Sequence, residues 1–198
     1  VTDMSYMFSN CSSLKEINLS NKFNTSKVIN MESMFRGCKN LNSLDLSNFD
    51  TSNVTNMSHM FGEYSSLITN KPSRPKGRFL GYLPNLPHRQ NMDCGCKNLI
   101  SLDLSNFDTS NVTNMSFMLC GCSSLKEINL SNKFNTNKVI NMESMIIGCK
   151  NLNSLDLSNF DVSKVTNMNK MFEFCPSLGD VIGINELNLK FCLKILGN

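Results

Sequence analysis

The sequence predicts an α/β solenoid made of coils of about 26 residues, each a strand, a turn and a short helix, with one parallel sheet along one face. Three observations carry this expectation. The stretch Leu44-Asp-Leu-Ser-Asn-Phe-Asp-Thr-Ser-Asn-Val-Thr-Asn-Met-Ser-His-Met-Phe61 recurs, from Ser101 and again from Ser154. A Val-Thr or Val-Ile marker opens repeats at Val1, Val28, Val54, Val112, Val139 and Val165, with spacings of 27, 26, 58, 27 and 26. All but one of the 13 methionines fall into Met-x-x-Met pairs, such as Met31/Met34 and Met57/Met60.

The long spacing of 58 reads as one normal repeat plus a damaged one with a few extra residues, which makes about seven coils. A larger unit overlies the coil. Cys11–Met57 aligns without a gap to Cys122–Met168, and the two differ only at Ser26/Asn137, Phe35/Ile146, Arg36/Ile147, Thr51/Val162 and Asn53/Lys164. Recent duplication of a two-coil block accounts for such identity.

Within a coil the strand comes first. Leu44 and Leu46 lie two apart, the period of a strand with one buried face. The turn, 48–53, is rich in Asn, Asp, Ser and Thr around a single apolar Phe49, and such side chains close turns on their own backbone. Val54, Met57, Met60 and Phe61 then fall at helical spacing, with Thr55 as the N-cap candidate. A helix of two turns is marginal alone and would depend on stacking. The methionine stripe reads as core filling by flexible thioethers.

Stacking makes an expectation about charge. Between the strand aliphatics stand Asn18, Asp45, Asp103, Asn129 and Asp156; after the phenylalanine stand Asn24, Asp50, Asp108, Asn135 and Asp161. Asn alternates with Asp between intact neighbours, which dilutes repulsion between like charges facing each other across a sheet. Asp45 and Asp103 are expected to be kept apart by the damaged unit.

Strand, turn and short helix at this period follow the logic of leucine-rich repeats. The units Leu-x-x-Leu-Asp-Leu-Ser-x-Phe-Asp-Thr-Ser-x-Val-Thr-x-Met-x-x-Met-Phe, followed by Cys-x-x-Leu, resemble BspA-like leucine-rich-repeat surface proteins, in particular the branch found in bacterial surface proteins and lipoproteins. The resemblance spans about 1–67 and 94–178. It implies a non-enzymatic protein of the cell surface or extracellular space, concerned with adhesion or protein binding. It carries no catalytic residues and no cofactor. Tyr64 replaces the expected Cys, and Leu119 and Ile146 replace the helix-ending Phe.

Nine cysteines raise the question of disulfides. Cys11, Cys38, Cys96, Cys122, Cys149 and Cys175 each stand three residues before a Leu, so they read as a ladder of small buried side chains. Cys94 and Cys120 occupy a variable place expected near the surface. A four-thiol zinc site from Cys94, Cys96, Cys120 and Cys122 is disfavoured by the tight Cys-Gly-Cys spacing, and no metal is expected. The repeated Asp residues read as solvated rather than as calcium ligands. His59 is expected on the surface. No Ser/His/Asp or Cys/His set emerges, and no enzyme is expected.

The middle departs from the pattern. Four of the five prolines lie between Ile68 and Asn91, and Pro72 falls where a strand aliphatic belongs. Lys71, Arg74, Lys76, Arg78 and Arg89 stand there without an acidic residue; without them the chain holds 14 basic against 16 acidic residues. The expected organisation is solenoid at 1–67, a degenerate coil or loop at 68–91, solenoid at 92–178, and a cap or truncated repeat at 179–198. Val1 opens directly on a repeat, so the chain reads as a fragment or a processed product.

Two surfaces are candidates for a partner, an unknown protein or host-surface ligand. One is the polar sheet side: Asn18, Ser20, Asp45, Ser47, Asp103, Ser105, Asn129, Ser131, Asp156 and Ser158. The other is the basic loop of Lys71, Arg74, Lys76, Arg78 and Arg89. The near-neutral charge points away from nucleic acid, and no apolar run approaches the roughly 20 residues of a membrane span. The rival reading is a structural spacer with no ligand of its own.

Overall fold

A computed structural model describes residues 1–19, 23–63 and 95–182. Its spine is a ladder of parallel backbone bridges, Asp3 to Asn30, Asn30 to Asn56, Asn56 to Asn114, Asn114 to Asn141, and Asn141 to Asn167. Six coils thus stack in one column. On the opposite side lie short strands: β1 (Glu16–Ile17), β2 (Ser43–Leu44), β3 (Ser101–Asp103), β4 (Glu127–Asn129), β5 (Ser154–Asp156) and β6 (Asp180–Ile182). They pair in parallel as β1–β2, β3–β4 and β5–β6. The register, Leu102 beside Ile128 and Leu155 beside Val181, aligns equivalent residues of successive repeats.

The expected α/β architecture is corrected. Among the described residues there is no helix, and the strands are two or three residues long in two-stranded sheets. Where helices were expected, the chain makes overlapping three-residue turns. The N–H of Met34 donates to Met31 O at 3.3 Å and that of Arg36 to Ser33 O at 3.1 Å. The alternate amides point elsewhere: Met31, Ser33 and Phe35 donate to Asn56, Ser58 and Met60 of the next coil, at 3.0, 2.9 and 2.8 Å. Each turn is reversed by a left-handed residue in one column, Tyr6, Ser33, His59, Phe117, Ser144 and Lys170, with φ from 52° to 60°. That conformation is costly for a side chain, and the bonds to the next coil hold it in place.

The reason lies in spacing. Hydrogen-bonded parallel backbones lie about 4.8 Å apart, and here coils are bonded on the turn side as well as on the strand side. A helix is about 10 Å across with its side chains and does not fit one to a coil at that spacing. Thr55, the N-cap candidate, instead donates its Oγ1 to Ile29 O of the preceding coil at 3.3 Å.

The stack runs directly from the coil of Asn56 to that of Asn114. Coil three is assembled from two separated pieces, 54–63 and 95–111. The N–H of Cys96 donates to Phe61 O at 3.1 Å, as Cys38 does to Phe35 O three residues before it. Cys96 therefore stands where Tyr64 was expected to carry the pattern on. Two glycines flank the junction for a steric reason: a Cβ on Gly62 would collide with Phe117 O, and one on Gly95 with Cys120 O. Residues 64–94, including the expected degenerate segment 68–91, lie outside the described residues.

The core is continuous through the coils. Val28, Met31, Met34, Phe35, Val54, Met57, Met60 and Phe61 are fully enclosed. Phe8, Phe35 and Phe61 stack at centroid distances of 5.4 and 5.7 Å. A column of buried threonines closes each turn to the next coil, with Thr25 Oγ1 donating to Asp50 O at 2.9 Å, Thr51 to Asp108 O at 3.0 Å, Thr109 to Asn135 O at 2.6 Å and Thr136 to Asp161 O at 2.8 Å.

Candidate functional site: the polar strand face

The strand segments place Asn18, Asp45, Asp103, Asn129 and Asp156 in one exposed column. Ser47 and Ser158 are exposed beside them, while Ser105 and Ser131 are half-buried; Ser20 lies outside the described residues. The basic-loop candidates Lys71, Arg74, Lys76, Arg78 and Arg89 also lie outside them.

Local bonding fixes the carboxylates. Asp45, Asp103 and Asp156 accept the backbone N–H two residues on, from Ser47, Ser105 and Ser158, at 2.9, 2.9 and 2.8 Å. This closes each strand with an Asx turn. Bonds donated by Ser47 hold Asp45 below the usual carboxylate range, first from its backbone N–H, and Ser105 does the same for Asp103. For Asp156 the Ser158 hydroxyl is the leading cause, followed by the backbone N–H. The carboxylates are thus set in position by their own chain before any partner arrives.

Neighbouring coils are linked across this side by amides. Asn129 Nδ2 donates to Asp103 Oδ1 at 3.1 Å, Asn106 Nδ2 to Ser47 O at 2.7 Å, and Asn98 Nδ2 to Asn40 Oδ1 at 3.3 Å. Asp45 and Asp103 are not kept apart by a damaged unit. They line one cleft of about 90 Å³ with Leu44, Leu46, Ser47, Ser105 and Asn106. Sequence alignment by the Val marker missed this closeness. The signal was available in Cys-Lys-Asn-Leu, which occurs at Cys38–Leu41, Cys96–Leu99 and Cys149–Leu152 and gives Cys96 its coil.

The other sequence candidates sit elsewhere. His59 is half-buried rather than free on the surface, and its ring stacks on Phe117 at 4.7 Å. Burial, then the nearby Arg36, lowers its pKa against an opposing pull from Glu32. Glu63 lies 3.9 Å from both Arg36 Nη2 and Lys39 Nζ. The seven described cysteines carry free thiols. Cys38, Cys96, Cys122 and Cys149 are buried in the expected column, Cys175 is half-buried and Cys11 exposed. Each thiol after the first reaches back to the preceding coil, as Cys149 Sγ does to Leu119 O at 3.3 Å. Burial pushes the Cys38 and Cys175 thiols up to about 11. Cys120, expected near the surface, is 1% exposed, packed with Ile147 and Phe117. Cys94 lies outside the described residues. Among those described, no three His, Cys, Asp or Glu side chains are grouped to hold a metal ion.

A family model described as a Mycoplasma protein of unknown function, DUF285, matches residues 1–73 and 90–190. The interval between the two matches lies within the stretch that separates the halves of coil three. No curated protein and no solved structure matches the chain.

Proposed function

The chain belongs to the DUF285 family of Mycoplasma proteins of unknown function, and on that premise we propose that it is a non-enzymatic cell-surface repeat protein whose polar strand face binds a protein or host-surface ligand. The similarity of its units to BspA-like surface repeats points the same way. The observation that carries the reading is the column of exposed Asp and Asn side chains whose carboxylates are already fixed by Asx turns. Groups held in place before contact lose little freedom on binding, which favours affinity.

The spacer reading keeps one observation of its own. Asn129 is engaged with Asp103 of the preceding coil, so this pair of the column already serves coil-to-coil cohesion. The two readings separate in an adhesion assay. Beads coated with the whole chain are expected to hold to cultured cells or purified matrix proteins. Beads carrying D45K, D103K and D156K together are expected to release, with the fold unchanged by circular dichroism. No adhesion by the unmodified chain leaves the spacer.

A further inference from the structure

We propose that the stack contains a seam between its second and third coils, where the strand face opens while the turn face stays latched. Four features of this one junction point to it.

The first is backbone bonding. At equivalent places on the strand side, Asn42 N–H donates to Lys15 O at 2.8 Å, Lys126 to Ile100 O at 2.8 Å, Asn153 to Lys126 O at 3.3 Å and Gly179 to Asn153 O at 3.2 Å. The corresponding bond from Ile100 to Asn42 is absent among the described residues; β2 does not pair with β3, nor β4 with β5, so the missing bond rather than the strand gap marks this junction. The second is ring spacing. Phe49 and Phe107, on the strand side of this junction, lie 6.4 Å apart, while Phe35 and Phe61, on its turn side, lie 5.7 Å apart. The third is the cleft between Asp45 and Asp103, which opens here.

The fourth is charge, and it supplies the cause. Coils one and two present Asn18 to Asp45 and Asn24 to Asp50. Coils three and four present Asp103 to Asn129 and Asp108 to Asn135, and coils four and five continue the mixed pairing. Only coils two and three set Asp against Asp in both columns, Asp45 with Asp103 and Asp50 with Asp108. Like charges facing across neighbouring strands repel. Side-chain tethers survive across the seam, from Asn106 to Ser47 O at 2.7 Å, Asn111 to Ser52 O at 2.7 Å and Thr51 to Asp108 O at 3.0 Å. On the turn side the backbone latch is complete, with Met31, Ser33 and Phe35 donating to coil three. Local opening follows weak local bonding, so the two sides are expected to move differently.

Hydrogen–deuterium exchange on the whole chain at low salt tests this. The amide of Ile100 is expected to exchange about fivefold faster, or more, than the equivalent amides of Lys126 and Asn153. The double variant D45N/D50N retains amide acceptors for both Asx turns and restores mixed pairing; it is expected to slow the Ile100 amide toward those of the other junctions, while D156N/D161N leaves it as it was. In the unmodified chain, 0.5 M salt is expected to narrow the same difference by screening about 3–5 Å around each charge. Equal exchange at all three junctions overturns the seam. So does a difference that neither D45N/D50N nor salt reduces.

Discussion

Asn129 donates from Nδ2 to Asp103 Oδ1 at 3.1 Å, so a neutral amide of coil four caps a carboxylate of coil three. At this pair the alternation of Asn and Asp is thereby a bond as well as a dilution of charge. Asn129→Asp would place a third carboxylate between Asp103 and Asp156. Its melting temperature is expected to fall by about 2–4 °C at low salt. Most of the loss should be recovered in 0.5 M salt, read by thermal denaturation at both ionic strengths. A loss independent of salt would point to geometry rather than charge.

The buried threonines differ from the exposed ones although both bond to a neighbouring coil. Thr109 is fully enclosed and its Oγ1 donates to Asn135 O at 2.6 Å, whereas Thr113 is exposed and donates to Thr55 O at 3.2 Å. Thr109→Val leaves the half-buried Asn135 carbonyl short of a donor and should cost about 1–3 kcal/mol. Thr113→Val leaves its carbonyl within reach of water and should stay within about 0.5 kcal/mol. Urea unfolding of the two variants gives the comparison.

Gly62 and Gly179 make a steric contrast. A Cβ at Gly62 would collide with Phe117 O, while nothing lies within 4 Å of one at Gly179. Gly62→Ala must displace backbone of coil four and is expected to lose about 1–3 kcal/mol. Gly179→Ala is expected to be near neutral. Equal effects would contradict the direct stacking of coil three on coil four.

His59 links stability to pH. Its neutral form is favoured by burial beside Phe117 and by Arg36, so the folded pKa lies below the ordinary histidine value of 6.5. Above 6.5 neither state carries the proton, and this stability is complete. As pH falls below 6.5 the unfolded chain takes up the proton first, and stability is lost until the folded pKa is passed. The melting temperature should therefore be lower at pH 5.5 than at 7.5. His59→Ser, the residue found at this place in Ser33 and Ser144, should remove that part of the difference. Exposed Asp45, Asp103 and Asp156 act in a lower window, their contribution present above about 4 and lost as pH falls further.

The repeat period, the enclosed Val, Met and Phe columns and the buried cysteine column were legible because equivalent residues stack on one another. The path between Val54 and Phe61 was not. Met57 and Met60 three apart suit one face of a helix and equally suit successive three-residue turns, since both return a side chain to the core at that interval. What separates them is whether amides bond within the coil or to the next one, and that depends on spacing between coils rather than on any local residue. The left-handed column was hidden too: Tyr6, Phe117 and Lys170 are not residues that announce positive φ. Tyr64 in place of Cys, and Pro72 where an aliphatic belonged, suggested a coil decayed in place. The bond from Cys96 to Phe61 O shows that the coil of Phe61 is carried on 32 positions beyond Tyr64; the segment 68–91 itself lies outside the described residues. His59 was read as a surface side chain because the repeat marks its place as variable, and the ring facing it belongs to another coil.

The most direct test is whether the turn side is bonded between coils. Scalar couplings across hydrogen bonds in isotope-labelled protein report each donor and acceptor pair. They are expected between the Ser33 amide and the Ser58 carbonyl, 2.9 Å apart, and between the His59 amide and the Ser116 carbonyl, also 2.9 Å apart. The second pair also tests the passage from coil three to coil four. Couplings from these amides to carbonyls four residues earlier in the same coil would contradict the stack and restore the helix.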